Sequence, residues 1–197
     1  MENSLLMKHS SNVPPDNNYN IGNKLSDFQI LQVIAEGENI QITKVKSKFD
    51  LKIYILKKYI ISKIEKDYMK YVLNEIIIMK YLNHENVVKF YNDFKDQNGN
   101  IYIIMEYIEG RDLYTFINNN MNMNIKIEEE KLWNICKQCL DGLVYLHKKG
   151  IIHRNINPSN LLMNDKGEIK YCDFKYSSFI NIDNEWKFTK EKKKKKI

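Results

Sequence analysis

Residues 151–162 read Ile151-Ile152-His153-Arg154-Asn155-Ile156-Asn157-Pro158-Ser159-Asn160-Leu161-Leu162, a polar run held between two apolar pairs. Before it lies a strong helical signal, Glu128 to Lys149. Its first turn is acidic, Leu132, Ile135, Cys136, Cys139, Leu140, Leu143 and Leu146 share one side, and Lys148-Lys149-Gly150 closes it. After it, short strands are expected at Leu161 to Met163 and Ile169 to Cys172, around the turn Asn164-Asp165-Lys166-Gly167. Upstream of the helix, Asp112 to Ile117 predicts a short helix, and Asn118 to Asn124 reads as a low-complexity solvated loop.

The first half of the chain has a different rhythm. Phe28 to Ala35, Ile40 to Lys46 and Leu51 to Tyr59 are strand-like, with Ile53, Ile55 and Tyr59 on one face of the third. From Lys63 to Leu82 the period becomes helical, through Met69, Val72, Leu73, Ile76 and Met79 or Lys80. Val87 to Phe94 and Ile101 to Tyr107 then flank Asp96-Gln97-Asn98-Gly99-Asn100, where the Asn-Gly pair signals a hairpin. Five strands with one helix after the third, followed mostly by helix, make an α+β pattern in two lobes.

The polar run resembles the catalytic loop of eukaryotic protein kinases, His-Arg-Asp-Leu-x-x-x-Asn. Tyr54-Ile55-Leu56-Lys57 resembles the family's third-strand Val-Ala-Ile-Lys, and Glu75 stands where its ion-pair glutamate belongs. His84-Glu85-Asn86-Val87-Val88 is similar to the His-Pro-Asn-Ile-Val segment. Ile104-Met105-Glu106-Tyr107-Ile108-Glu109-Gly110 resembles the hinge, with Met105 as gatekeeper, and Asp173-Phe174-Lys175 takes the place of Asp-Phe-Gly. Pro158 to Leu162 and Gly167 to Lys170 look most like MAP kinase kinases. Residues 1–24, polar and carrying Pro14-Pro15, read as a disordered leader and 189–197 as a basic tail; between them the resemblance implies an N-lobe with a five-stranded antiparallel sheet and one helix (25–107) and a partial, mostly helical C-lobe (108–188).

It also implies a nucleotide site. Lys57, held by Glu75, would reach the α/β-phosphates of ATP, while Asn160 and Asp173 would bind Mg²⁺. Backbone groups of Glu106 and Ile108 would bond the adenine edge and Asp112 the ribose. Ala35, Gly37, Ile42, Ile55, Met105 and Leu162 would line the rest. Phe174, His153, Met79 and Phe90 would stack as the family's regulatory spine.

Five departures from the family pattern argue against efficient catalysis. The catalytic Asp is Asn155, a neutral amide that cannot accept the substrate hydroxyl's proton, a loss of about 10²- to 10⁴-fold. The loop lysine is Asn157, which removes a positive charge beside the transferred phosphoryl group. The glycine loop, Ala35-Glu36-Gly37-Glu38-Asn39-Ile40, keeps only its middle glycine. Ile55 replaces the small residue that roofs the adenine, and Lys175 replaces the glycine of Asp-Phe-Gly, stiffening that segment. The expectation is an impaired kinase domain with weak, partly metal-assisted ATP binding. Its rivals are a weakly active serine/threonine kinase and a fragment of a longer one.

Composition narrows the setting. The chain has 197 residues, 43% hydrophobic and 28% charged, which excludes collagen-like, disulfide-scaffold and fully disordered classes. No apolar run approaches the ~20 residues of a transmembrane helix. Three cysteines read as reduced thiols, so an intracellular protein, cytoplasmic or nuclear, is expected; Cys136 and Cys139 read as core thiols. The net charge of +6 comes largely from Lys190 and Lys192 to Lys196, leaving the body near neutral with no nucleic-acid footprint. The chain holds 29 Lys, 28 Ile and 25 Asn against one Ala, a bias that weakens arguments from any single Asn or Lys. Ser177, Ser178 and Thr189 fall where activation-segment phosphosites would lie. Resemblance fades after Asp173-Phe174, and two expectations follow: a message that continues into an activation segment, or a protein partner that covers the apolar helix 128–149.

Overall fold

A computed structural model describes residues 21–180. The basic tail 189–197, Thr189 and most of the expected leader lie outside these residues. The last four residues of the expected leader, 21–24, are among the described residues. Ile21 is buried in a cluster with Phe28 and Phe94, and the Ser47 hydroxyl donates to its carbonyl. One isoleucine with a core to enter is enough to anchor the segment.

Five strands form the first sheet: β1 (Phe28–Glu36), β2 (Ile40–Ser47), β3 (Ile53–Tyr59), β4 (Phe90–Lys95) and β5 (Ile101–Glu106). They are antiparallel in the order β1-β2-β3-β5-β4. Alternation sorts side chains onto two faces. Tyr54, Leu56, Tyr102, Ile104 and Phe94 pack with Ile21 and Phe28 on one face. Tyr59, Ile101, Ile103 and Met105 face the main core on the other. Ile101 to Met105 are therefore all buried, which is why β5 reads as a continuous apolar run. The Asp96 carboxylate closes the β4–β5 hairpin, accepting from the backbone of Asn98 and Asn100, and Gly99 supplies the positive φ the turn needs.

Helix α1 (Lys66–Tyr81) lies on the main-core face and buries Val72, Glu75, Ile76 and Met79. That i, i+3, i+4, i+7 stripe contains one carboxylate, and β3 offers one lysine on the facing side. The second half begins with β6 (Gly110–Asp112) and α2 (Leu113–Asn122). The latter corrects the expected loop at 118–124. Asp112 caps the helix by accepting from the Thr115 amide, and Leu113 and Phe116 anchor it in the core, so the Asn-rich stretch is carried on as helix.

Helix α3 (Glu129–Lys148) follows, then β7 (Ile151–Ile152), a 3₁₀ turn at Pro158–Asn160, β8 (Leu161–Asn164), β9 (Ile169–Tyr171) and β10 (Ser178–Phe179). β6, β8 and β9 form a small sheet, and β10 pairs with β7. Helix α3 is less buried than its pattern suggests. Ile135 and Leu146 are buried, whereas Leu132 and Leu140 are 44% and 61% exposed and Cys136 is exposed, contrary to its reading as a core thiol. The helix meets β7 and β9 along one side only, and Leu132, Cys136 and Leu140 lie off that side. No helix among the described residues is long and apolar enough to cross a membrane.

Gly142 marks the tightest contact of α3. A Cβ there would lie 2.7 and 2.9 Å from the Tyr171 ring and 3.1 Å from Asn86 Cβ. Tyr171 is buried and its hydroxyl donates to the Cys139 carbonyl, so the ring has little freedom to withdraw. Gly142→Ala should gain about 1 kcal/mol of helix propensity but lose about 1–3 kcal/mol to overpacking. A lower melting temperature is expected; a higher one would mean that Tyr171 yields.

Candidate functional site

Lys57 lies on the main-core face of β3, between Ile55 and Tyr59, and Glu75 lies on the buried stripe of α1. Lys57 Nζ donates to both carboxylate oxygens of Glu75, at 2.7 and 2.9 Å, and to Asp173 Oδ1 at 3.3 Å. The Tyr59 hydroxyl donates to Glu75 Oε2. Burial alone would push the lysine's pKa down, but the Glu75 and Asp173 carboxylates outweigh it and hold the pKa well above the ordinary value. Lys57 is thus a fixed positive charge in a nearly dry setting.

Asp173 gathers the other side of the site. Its Oδ1 takes Lys57, while its Oδ2 lies 3.3 Å from Lys175 Nζ and accepts from Asn155 Nδ2 at 3.2 Å. Burial would raise this carboxyl's pKa, but Lys57 and then Lys175 keep it below the usual range. Asp173 and Arg154 both have positive φ, at 62° and 61°, so the backbone of this cluster is held in uncommon conformations. Lys175 is not among the positive-φ residues: a glycine's freedom is not needed there, and the change from glycine is felt through the ammonium group instead.

The loop 153–160 is tied together by its asparagines. Asn157 Nδ2 donates to the Asn155 carbonyl at 3.1 Å and to Asn155 Oδ1 at 3.4 Å, and its own Oδ1 caps the turn by accepting from the Ser159 amide. Asn160 Nδ2 donates to the Asn155 carbonyl at 2.8 Å. Arg154 donates to the carbonyls of Tyr176 and Ser177. Ser177 is buried and its hydroxyl donates to the His153 carbonyl, so it is not presented for modification, whereas Ser178 is half-buried in β10.

The spine expected from sequence is packed in its lower half. His153 and Phe174 have ring centroids 4.9 Å apart, and both are buried. Met79 shares the same core cluster, with Phe90 packed against it. The Asn155 amide donates to His153 Nδ1, and Nε2 lies 3.1 Å from the Cys172 carbonyl, which together fix a neutral tautomer. Burial lowers the His153 pKa by more than the Cys172 carbonyl and Asp173 raise it. The unfolded chain therefore binds a proton first as pH falls, so stability is full above about pH 6.5 and declines toward the folded-state value. His153→Gln should flatten the fall in melting temperature between about pH 7.5 and 5.5. An unchanged slope would assign that fall to the other histidines.

The nucleotide-wall residues line up across the sheet. Ala35 pairs with Ile42, Ile42 with Lys57, and Ile55 with Met105. Leu162 approaches from the second lobe on β8, paired with Asp112. Ile42, Ile55, Ile108 and Leu162 are half-buried and Ala35 is exposed. Gly37 has open space, since an added Cβ would meet only the Ile40 carbonyl at 3.7 Å, so the fold itself does not demand glycine there. One side chain of the set, that of Asp112, is engaged elsewhere, and Glu106, expected to act through its backbone, has its side chain paired. The Asp112 carboxylate is held by the Thr115 amide and hydroxyl, both at 2.8 Å, and the Glu106 carboxylate pairs with Lys170 at 3.1 Å. Of two polar recesses, one of about 310 Å³ lies beside Asn86 and Gln138, and one of about 290 Å³ borders the hinge residues Glu106 and Ile108; neither is lined by Lys57 or Asp173.

A divalent cation at Asn160 and Asp173 would find an amide oxygen and a carboxylate whose two oxygens are already engaged. Mg²⁺ needs near-octahedral oxygen at about 2.0–2.1 Å, and here Lys175 would have to give way first. In this arrangement Lys175 competes with such an ion for Asp173 Oδ2.

Three features escaped the sequence reading: the Tyr59 hydroxyl on Glu75, the Lys175–Asp173 pair, and Asn74, which donates from α1 to the Ser177 carbonyl at 2.7 Å. Period-two spacing from Lys57 would have pointed to Tyr59. Asn74 and Ser177 lie 103 residues apart and left no local signal, whereas Lys175 and Asp173 are sequence neighbours whose pairing depends on how the side chains turn.

Comparison with known proteins agrees with this geometry. A protein kinase domain model matches residues 28–194. The MAP kinase kinase MKK1/SSP32 of Saccharomyces cerevisiae is 34% identical over 160 residues, covering 81% of this chain and 32% of that protein. The probable serine/threonine-protein kinase mkcD of Dictyostelium discoideum is 35% identical over 171 residues, 84% of this chain and 25% of its own. Aurora kinase C of Mus musculus is 33% identical over 154 residues, 78% of this chain and 54% of its own. The chain thus spans between a quarter and just over half of the length of these relatives.

Proposed function

The chain belongs to the protein kinase family, and from that premise we propose that it is a nucleotide-binding kinase domain impaired in phosphate transfer, acting inside the cell through binding to a protein partner. Protein kinases in general use ATP and Mg²⁺, so an ATP-type ligand is the natural occupant of the cleft beside Lys57. One observation carries the impairment. Asn155, in the place of the catalytic aspartate, has its amide nitrogen committed to Asp173 and its amide oxygen to Asn157. A group with no proton-accepting capacity and both ends engaged cannot act as the base for a substrate hydroxyl.

A second reading has its own support. Lys57, Glu75 and Asp173 are already in contact, which is the arrangement phosphoryl transfer asks for, and a weakly active serine/threonine kinase would use it. The two readings separate in one assay of γ-phosphate transfer from ATP to a generic protein acceptor, with Asp173→Ala as the control. A rate equal to the control supports impairment. A rate clearly above it, abolished by the substitution, supports the weak kinase.

A further inference from the structure

We propose that Lys175 takes the place of the divalent cation, so that a nucleoside polyphosphate binds between Lys57 and Lys175 without metal. The inference rests on the nucleotide-binding reading above and specifies how that site is charged.

Asp173 is the one carboxylate the site offers a metal, and each of its oxygens faces an ammonium group. Lys57 Nζ lies 3.3 Å from Oδ1 and Lys175 Nζ 3.3 Å from Oδ2. Asn155 Nδ2 adds a third donor on Oδ2 at 3.2 Å. Asn160, the other candidate ligand, has its amide nitrogen on the Asn155 carbonyl, leaving it one neutral oxygen to give. An incoming cation must displace Lys175 or share Oδ2 with it at contact distance, and two positive charges on one oxygen repel.

The lysine is well suited to the role. Its side chain is 20% exposed, the Asp173 side chain is 18% exposed, and the pair therefore opens to the cleft without being loose in solvent. The ammonium carries three donors on a flexible stem, so it can hold Asp173 and a phosphate oxygen together. Lys57 cannot supply that second charge alone, because Glu75 already takes two of its contacts. Asn157 offers no charge where the family has a lysine. Among the described residues, Lys175 is thus the cation beside Asp173 free to neutralise a polyphosphate.

The test is isothermal titration of the full chain with ATP, once in excess EDTA and once in Mg²⁺, for the wild type and Lys175→Met. The wild type should bind ATP with affinities within about threefold in the two conditions. Removing a charge-assisted contact should weaken binding in EDTA by about tenfold or more, and Mg²⁺ should restore much of it in Lys175→Met by occupying the vacated oxygen. Wild-type binding that requires Mg²⁺ overturns the inference and leaves the nucleotide-binding reading intact. ATP binding in EDTA that Lys175→Met does not weaken overturns the role of this side chain. No binding in any condition overturns both readings. The wild-type arms stand even if the variant fails to fold.

Discussion

Glu75→Ala is expected to cost the folded state about 3–5 kcal/mol, the usual penalty for removing one member of a buried ion pair. Glu75 is 1% exposed, Lys57 6%, and the glutamate accepts three hydrogen bonds, two from Lys57 and one from Tyr59. Deleting it leaves a buried ammonium with Asp173 as its remaining carboxylate and a buried tyrosine hydroxyl without its acceptor. Tyr59→Phe removes one hydrogen bond to a charged group and should cost less, about 1.5–3 kcal/mol. The double variant Lys57→Met/Glu75→Leu removes both charges together and should be closer to the wild type than Glu75→Ala, because apolar replacement of a whole pair is often neutral. Urea unfolding of the four proteins measures all of this. Glu75→Ala within about 1 kcal/mol of the wild type would mean that water reaches the pair, against its observed burial.

How far the sequence could be read follows from the range of each interaction. The sheet and α1 were legible because their signals are local: alternation on β2 and β3, the Asn-Gly turn before the apolar run of β5, and a helical stripe from Val72 to Met79. The Lys57–Glu75 pair was legible through a family resemblance that supplied the partner, since eighteen residues of separation carry no geometry of their own. The first half of α2 was read as helix, but its continuation past Ile117 was misread because asparagine composition suggests a loop, while Leu113 and Phe116 hold the helix from the core side. The exposure of Leu132 and Leu140 was illegible for the opposite reason. Periodicity says which side chains share a face, and it takes the neighbouring elements to say whether that face is covered. Lys175 shows the limit most clearly. Read as a lost glycine, it suggests a stiffer backbone; in the structure its φ is ordinary and its charge is what changes the site.

Asn155→Asp is the substitution that sequence comparison would choose to restore catalysis, and it should fail to do so. The new carboxylate would stand where Asn155 Nδ2 now donates to Asp173 Oδ2 at 3.2 Å, turning a hydrogen bond into a like-charge contact. Lys175 at 3.3 Å from Oδ2 would absorb part of the repulsion, and in doing so would be drawn further into the metal position. The expected result at neutral pH is a lower melting temperature than the wild type. Phosphate transfer should stay at least about 10²-fold below the 1–100 s⁻¹ of ordinary kinases. The base would be regained, but Asn157 would still supply no charge at the transferred group, and Lys175 would still occupy the carboxylate that positions a metal. Adding Asn157→Lys and Lys175→Gly should therefore raise the rate by more than Asn155→Asp does alone, because each of the three changes needs the others to assemble one charge pattern. Ordinary kinase turnover from Asn155→Asp by itself would show that the proton acceptor was the sole deficit and that Lys175 yields freely to Mg²⁺.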